Sequence, residues 1–184
     1  MAIGNWVKHR KSSTRATSSE HRVNVLFVCT ANVCRSPMAE GIFKQLVAQH
    51  NLSHFIFTDS AGTSSGLGIP PDPRARVCCQ NNGISIDHSR SRQIQKLDYS
   101  SFDYIIAMDK KNKILLQKSA LDKNILNKIH LFLDFSHDFN NKGKDIPDPY
   151  YSPAKEFENI FNLIEEASVG LLQEICRQHN YIAA

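Results

Sequence analysis

A chain of 184 residues is long enough for one sizeable hydrophobic core and short for two, and its 41% hydrophobic content is ordinary for a globular protein. No run approaches the roughly eighteen apolar residues that a membrane-spanning helix needs. The formal charge of +4 is modest and Lys and Arg are dispersed, so composition gives no argument for nucleic-acid binding; a basic mouth for an anionic substrate explains it equally well.

Residues 1–21 hold Lys8, Arg10, Lys11 and Arg15, a Ser/Thr cluster from Ser12 to Ser19, and one acidic side chain, Glu20. With little to bury, this segment is expected to be a disordered tail, and residues 22–184 a single domain. Val23, Val25, Leu26, Phe27 and Val28 then form a branched and aromatic run of the kind that makes a strand buried on both faces. Cys29 follows, then five small or polar residues, then Arg35, Ser36 and Pro37. From Met38 to His50, Ala39, Ile42, Phe43, Leu46 and Val47 recur at helical spacing. Pro37 suits a first helical turn, where its missing N–H costs nothing, and Ser36 is placed to cap it. A loop between a strand end and a helix start turns backbone N–H groups towards one point and makes an anion cradle. In that cradle a cysteine near a helix N-terminus and an arginine is favoured as the thiolate, and Arg35 offers a planar donor fork for two phosphate oxygens. The pair therefore reads as nucleophile and oxyanion clamp. A merely structural cysteine at the strand end would leave Arg35 and Ser36 at these spacings unexplained.

Phe55 to Thr58 reads as the second strand, ending at Asp59-Ser60, and the Gly-, Ser- and Pro-rich stretch from Ala61 to Pro73 as a surface loop. Asp72 can cap a helix from Pro73 to about Asn82, stopped by Gly83. Cys78 and Cys79 fall inside it as small buried side chains. After a turn-like stretch from His88 to Gln93, Phe102 to Met108 reads as a third strand, Asp109 as the cap of a helix to Lys118, and Ile129 to Leu133 as a fourth strand. A polar loop, Asp134 to Lys144, leads to Asp145 and Tyr151. The last segment, Pro153 to His179, sets Phe157, Ile160, Phe161, Ile164, Val169, Leu172 and Ile175 on one helical stripe that faces the core. Strands alternating with helices imply an α/β fold: one domain, a four-stranded parallel sheet with helices on both faces, and a phosphate-binding loop after the first strand. In such sheets ligands sit beyond the carboxyl ends of the strands, which is where Cys29 falls.

The string Cys29-Thr30-Ala31-Asn32-Val33-Cys34-Arg35-Ser36-Pro37, set between a hydrophobic strand and Met38-Ala39-Glu40, resembles the signature of the low-molecular-weight protein tyrosine phosphatases. The likeness continues at Asp59-Ser60-Ala61-Gly62-Thr63-Ser64, Pro71-Asp72-Pro73-Arg74-Ala75, Phe102 to Asp109, and Asp145-Ile146-Pro147-Asp148-Pro149-Tyr150-Tyr151. It implies hydrolysis of protein phosphotyrosine through a cysteinyl-phosphate on Cys29, with Arg35 and the N–H groups of Thr30, Ala31, Asn32, Val33, Cys34 and Ser36 binding phosphate. Among several aspartates that compete on composition, it singles out Asp148 as the acid that protonates the leaving oxygen and then activates water. Ser36 is expected to donate its hydroxyl to the sulfur of Cys29. Tyr150 and Tyr151 are expected to wall the pocket, deep enough to favour a phenyl ring, and Asn32 to tie the loop to Ser60. Cys34 stands where the family keeps a reversible disulfide partner for the nucleophile, with a packed thiol as the other reading.

Three residues depart from the pattern. Ala31 replaces a usual glycine, which matters if the position needs a positive φ; Gly66 stands where relatives often carry a large aromatic; Asn82 replaces a histidine found in some relatives near the network that supports the loop. Neither a cofactor nor a metal is expected, because the five cysteines lack the spacing and histidine partners of a zinc site. The expected partner is a phosphotyrosine-containing protein, a bacterial tyrosine kinase or a host protein, and not a nucleic acid. A thiolate nucleophile and the lack of a signal-peptide core point to the cytoplasm, with secretion into a host as the open alternative. The competing functions are a thiol-dependent arsenate reductase, for which Cys78 and Cys79 would relay a disulfide, and a non-catalytic phosphate-binding module.

Overall fold

The computed structural model describes residues 22–120 and 122–181; the tail expected over residues 1–21 lies outside them. Strand β1 (Val23–Cys29) is central. It pairs in parallel with β2 (Ile56–Gly62) on one side and β3 (Tyr104–Ala107) on the other, and β4 (Ile129–Leu131) lies beyond β3, giving the order β2-β1-β3-β4.

The two-residue period of a strand divides the side chains of β1 between the two faces. Val23, Val25, Phe27 and Cys29 enter the larger core, formed with α1 (Arg35–Gln49), α2 (Pro73–Asn81) and α6 (Glu156–His179). Leu26 and Val28 enter a smaller one with Tyr99 of α3 (Asp98–Ser101), Phe102, and Leu116 of α4 (Lys110–Ser119). Phe27 is fully buried between the rings of Phe43 and Phe132, at centroid distances of 5.5 and 5.2 Å. Truncation there should cost about 3–5 kcal/mol, so Phe27 anchors the strand that ends at Cys29.

Local chemistry sets most boundaries. Asp72 caps α2 by accepting from the N–H of Arg74, with Pro73 at the first helical position. Asp109 caps α4 by accepting from the N–H of Asn112. Gly83, just past α2, has φ +75, which a side chain would resist. Several limits differ from those expected. The first helix opens two residues before Pro37, with Cys34 rather than Ser36 at its N-cap and no side-chain cap bond, because the hydroxyl of Ser36 is engaged by Cys29. β2 runs on to Gly62, in register with β1 to its last residue. β3 and β4 are shorter than their apolar runs, and Phe132–Phe135 turns into a 3-10 helix whose apolar side chains are needed in the core. Residues 153–155 precede α6, whose stripe passes through Gly170 with Val169 only half-buried. A Cβ on Gly170 would lie 1.8 Å from the carbonyl oxygen of Phe135, so the helix packs directly on backbone there. The short helices α3 and α5 (Lys123–Leu126) carry no signal in the apolar pattern.

Candidate active site

Cys29 ends β1 and residues 30–34 turn back into α1. The loop is held from outside by its carbonyls: that of Cys29 accepts from Thr63 N–H (2.9 Å), that of Thr30 from Ser64 N–H (2.9 Å), that of Ala31 from Ser65 hydroxyl (3.0 Å), and that of Val33 from Asp72 N–H (2.8 Å). With its carbonyls committed outward, the loop presents N–H groups to its concave side. Gly62 makes this approach possible, since a Cβ there would lie 2.6 Å from the Thr30 carbonyl oxygen and 3.2 Å from the Ala31 carbonyl carbon.

The left-handed residue of the turn is Asn32, at φ 56, and Ala31 has no positive φ. The glycine-to-alanine departure is therefore accommodated, because the strained position is the next one, and asparagine tolerates it. The backbone N–H of Arg92 donates to Asn32 Oδ1 (2.9 Å), which fixes the amide orientation, and Nδ2 then donates to Ser36 Oγ (2.9 Å) and Ser60 Oγ (3.0 Å). Ser60 in turn donates to Glu40 Oε2 (2.7 Å), and Glu40 pairs with Lys44. Because Ser36 Oγ accepts from Asn32, its own proton is free for Cys29 Sγ at 3.1 Å, a better target than the Ala61 carbonyl at 3.4 Å. The N–H of Asn32 donates to the same sulfur (3.2 Å). Two donors thus stabilise negative charge on Cys29. Asn32 and Ser36 are 2% and 0% exposed and their side chains lie behind the cleft rather than lining it, facing Ser60 and Cys29 as expected of them.

Arg35, at 2% exposure, is held by three acceptors. Nη1 donates to Asp109 Oδ2 (2.7 Å) and to the Ile146 carbonyl (3.1 Å), and Nη2 donates to Asp148 Oδ2 (2.6 Å). The Asp109 carboxylate also meets the Asn112 amide nitrogen at 3.1 and 3.2 Å, and the oxygen of that amide accepts from the Thr30 hydroxyl (3.2 Å). Asp148 is half exposed; its other oxygen accepts from Tyr150 N–H (3.2 Å), which holds the turn through Pro149. Cys29, Arg35 and Asp148 share one cleft of about 210 Å³ with Thr30, Ala31, Val33, Cys34, Tyr150 and Tyr151. The two tyrosines meet edge to face at 5.0 Å and supply its aromatic lining; Gly66 is not part of it. A groove of about 230 Å³ between α1 and residues 83–89 lies elsewhere and has neither thiol nor arginine in its lining.

Cys34 is buried, and that burial, with Asp72, Cys29 and Asp148 nearby, pushes its thiol up to about 12. Cys29 and Cys34 are both free thiols. Sequence reasoning missed Thr30's tie to Asn112, the second role of Asp109, and Arg74, whose guanidinium reaches the Tyr150 and Ser152 carbonyls from α2. Arg74 also bonds Asp72 and thereby holds that carboxyl below the usual carboxylate range. Asn82 is not part of the loop network: its amide donates to the Cys78 carbonyl (3.0 Å), closing the end of α2.

The family model for low molecular weight phosphotyrosine protein phosphatases matches residues 24–181. The chain belongs to that family. This phosphatase is 36% identical over 155 residues to the low molecular weight protein-tyrosine-phosphatase of Streptomyces coelicolor, covering 84% of this chain and 94% of that one. It is 40% identical over 157 residues to YfkJ of Bacillus subtilis, a protein of the same description, covering 85% and 97%. The crystal structure of YfkJ superposes with a TM-score of 0.80 over 88% of this chain and 99% of that one. A protein tyrosine phosphatase from Entamoeba histolytica, with Hepes in its active site, gives 0.80 at 34% identity, covering 85% and 98%. The phosphatase has no helix, among its described residues, long and apolar enough to cross a membrane.

Proposed function

We infer that the protein hydrolyses phosphotyrosine in proteins, and aryl phosphomonoesters generally, through a cysteinyl-phosphate on Cys29. The observation that carries this reading is the convergence in one cleft of a sulfur held by two donors, a buried guanidinium, and a carboxylate resting on that guanidinium.

An arriving phosphate dianion outcompetes the carboxylate of Asp148 for Arg35, since it brings more charge and takes the planar fork through two oxygens. Asp109 and the Ile146 carbonyl stay on Nη1 and keep the guanidinium aimed. Loop N–H groups and Arg35 then hold the equatorial oxygens while Cys29 Sγ attacks phosphorus in line. Freed from Arg35 and facing the charge of the bound dianion, the Asp148 carboxylate takes up a proton from solvent, and as the P–O bond breaks the carboxyl gives that proton to the leaving phenolate. In the second step the Asp148 carboxylate takes a proton from water, the oxygen attacks phosphorus, and the S–P bond breaks. Cys29 departs as a thiolate stabilised by Ser36 and by Asn32 N–H.

The aromatic lining of the cleft comes from Tyr150 and Tyr151, 49% and 96% exposed. This suits a phosphotyrosine on an accessible segment of a partner such as a tyrosine kinase or a host protein. A reducing compartment, the cytoplasm by default, keeps Cys29 competent. Cys34 acts as the disulfide partner that shields Cys29 from over-oxidation. The arsenate-reductase reading is disfavoured, because its relay would have to carry the disulfide outward from the cleft, and Cys78 and Cys79 are buried in the core and line no part of that cleft.

The test is hydrolysis of phenyl phosphate from pH 5 to 8 by the full chain, by Cys29→Ser and by Asp148→Asn, with arsenate reduction assayed in parallel. Turnover abolished in Cys29→Ser, and a phosphate trapped on Cys29 by acid quench and mass spectrometry, is the expected result. A folded, phosphate-binding but inactive wild type would leave a binding module instead.

A further inference from the structure

We propose that Arg74 is a positioning residue for the leaving-group acid: gripping the backbone of residues 150–152 from α2, it sets where the Asp148 carboxyl stands relative to the sulfur. The proposal rests on the phosphatase reading of the site.

The guanidinium is fixed before it reaches the acid loop. Nε and Nη2 donate to the two oxygens of Asp72 at 2.9 and 2.7 Å, and Cζ lies 5.0 Å above the ring of Phe157, a fully buried residue of α6. Asp72 is itself fixed, because it caps α2 and its N–H donates to the Val33 carbonyl of the phosphate loop. From this mount Nη2 donates to the Tyr150 carbonyl (2.9 Å) and Nη1 to the Ser152 carbonyl (2.8 Å). Two carbonyls two residues apart match a planar fork and not a single ammonium. A continuous path therefore runs from the phosphate loop through Asp72 and Arg74 to the acid loop.

The timing of the chemistry makes this grip matter. At rest Asp148 is restrained by its ion pair with Arg35. When phosphate takes Arg35 that restraint is gone, at the moment the carboxyl must point at the leaving oxygen. Ile146, whose N–H donates to the Met108 carbonyl, then holds the loop before Asp148, and Arg74 holds it after. Reacting groups misplaced by an ångström lose rate steeply.

The experiment compares kcat/KM for phenyl phosphate, a poor leaving group, and dinitrophenyl phosphate, a good one that needs no proton. The proteins are wild type, Arg74→Ala, Arg74→Lys, Asp148→Asn and the double variant Arg74→Ala/Asp148→Asn. With phenyl phosphate Arg74→Ala should lose about tenfold or more, with dinitrophenyl phosphate less than about threefold, and Arg74→Lys should fall between wild type and Arg74→Ala. In the Asp148→Asn background Arg74→Ala should change kcat/KM by less than about twofold, since both substitutions remove the same contribution. Equal losses for the two substrates, or losses that multiply in the double variant, would overturn the proposal. Arg74→Lys carries the same leaving-group comparison if circular dichroism shows Arg74→Ala unfolded. Wild type inert towards both substrates would instead sink the phosphatase reading itself.

Discussion

Residues 29–36 and 145–152 meet at Arg35 from opposite sides of one cleft, yet Asn32, Arg35 and Ser36 are at most 2% exposed whereas Tyr150 and Tyr151 are 49% and 96% exposed. On the first side every carbonyl named above has a partner outside the loop, and the asparagine at its turn bonds to Ser36, Ser60 and Arg92. On the second, Asp148 rests on a single ion pair and its own turn, and the backbone beyond it hangs from one guanidinium. The difference follows the proposed chemistry. Donors that receive developing charge stabilise a transition state most when they need no reorganisation. A group that delivers one proton and then accepts another has to change partners.

The hardest way to break this contrast is to disarm the rigid side at its charge. Arg35→Lys keeps a cation near Asp109 but loses the fork, and kcat/KM for phenyl phosphate should fall by about 10²–10³. A loss below tenfold would show that the loop N–H groups hold the phosphate without it. Asp148→Asn tests the exposed side. Its rate with phenyl phosphate should fall about 10²-fold, while its midpoint in urea should move by less than the equivalent of about 0.5 kcal/mol, as expected of a half-exposed group. Asn32→Ala should do the reverse, losing about 2–3 kcal/mol of stability through buried partners left unsatisfied at Ser60 and Arg92, with a smaller loss of rate. Asn32→Gly keeps the left-handed backbone and separates the two contributions. Unchanged melting in both variants would remove the contrast altogether.

These residues also show how far the sequence reaches. The convergence of Cys29, Arg35 and Ser36 is legible because strand, loop and helix are contiguous, and Asp72 and Asp109 are legible as caps because capping is local. What was hidden is the long-range use of those same groups: Asp109 meets Arg35 across 74 positions and Arg74 meets Ser152 across 78, separations that no periodicity records. Ser36 stands at the helix start as a capping residue would, but its hydroxyl goes to the sulfur, the other partner expected of it, and makes no cap bond. Asn82 was misplaced because a position matched to relatives does not say which way a side chain turns. The limits of β3 and β4 differ from the apolar runs because Phe102, Met108, Phe132 and Leu133 are buried in the core although they lie outside the strands.

The thiols sharpen the contrast on the stable side. Burial pushes the thiols of Cys34, Cys78 and Cys79 up to about 12, whereas in the unfolded chain they ionise near 9.0. As pH rises past that value the unfolded chain releases these protons while the folded chain keeps them, so stability present below about pH 9 drains away between there and 12. Urea midpoints from pH 8 to 11 should fall, and Cys79→Val should flatten the fall. An identical slope in that variant would assign the alkaline loss to other groups.

The ion pair between Arg35 and Asp148 also bears on how a turnover ends. Inorganic phosphate left in the cradle competes with a carboxylate tethered a few ångströms away, which behaves as a ligand at high effective concentration. The product is thus met by an intramolecular competitor that free substrate in excess must also displace. On the proposed mechanism some affinity for substrate at the start of each cycle is exchanged for a weaker hold on product at its close.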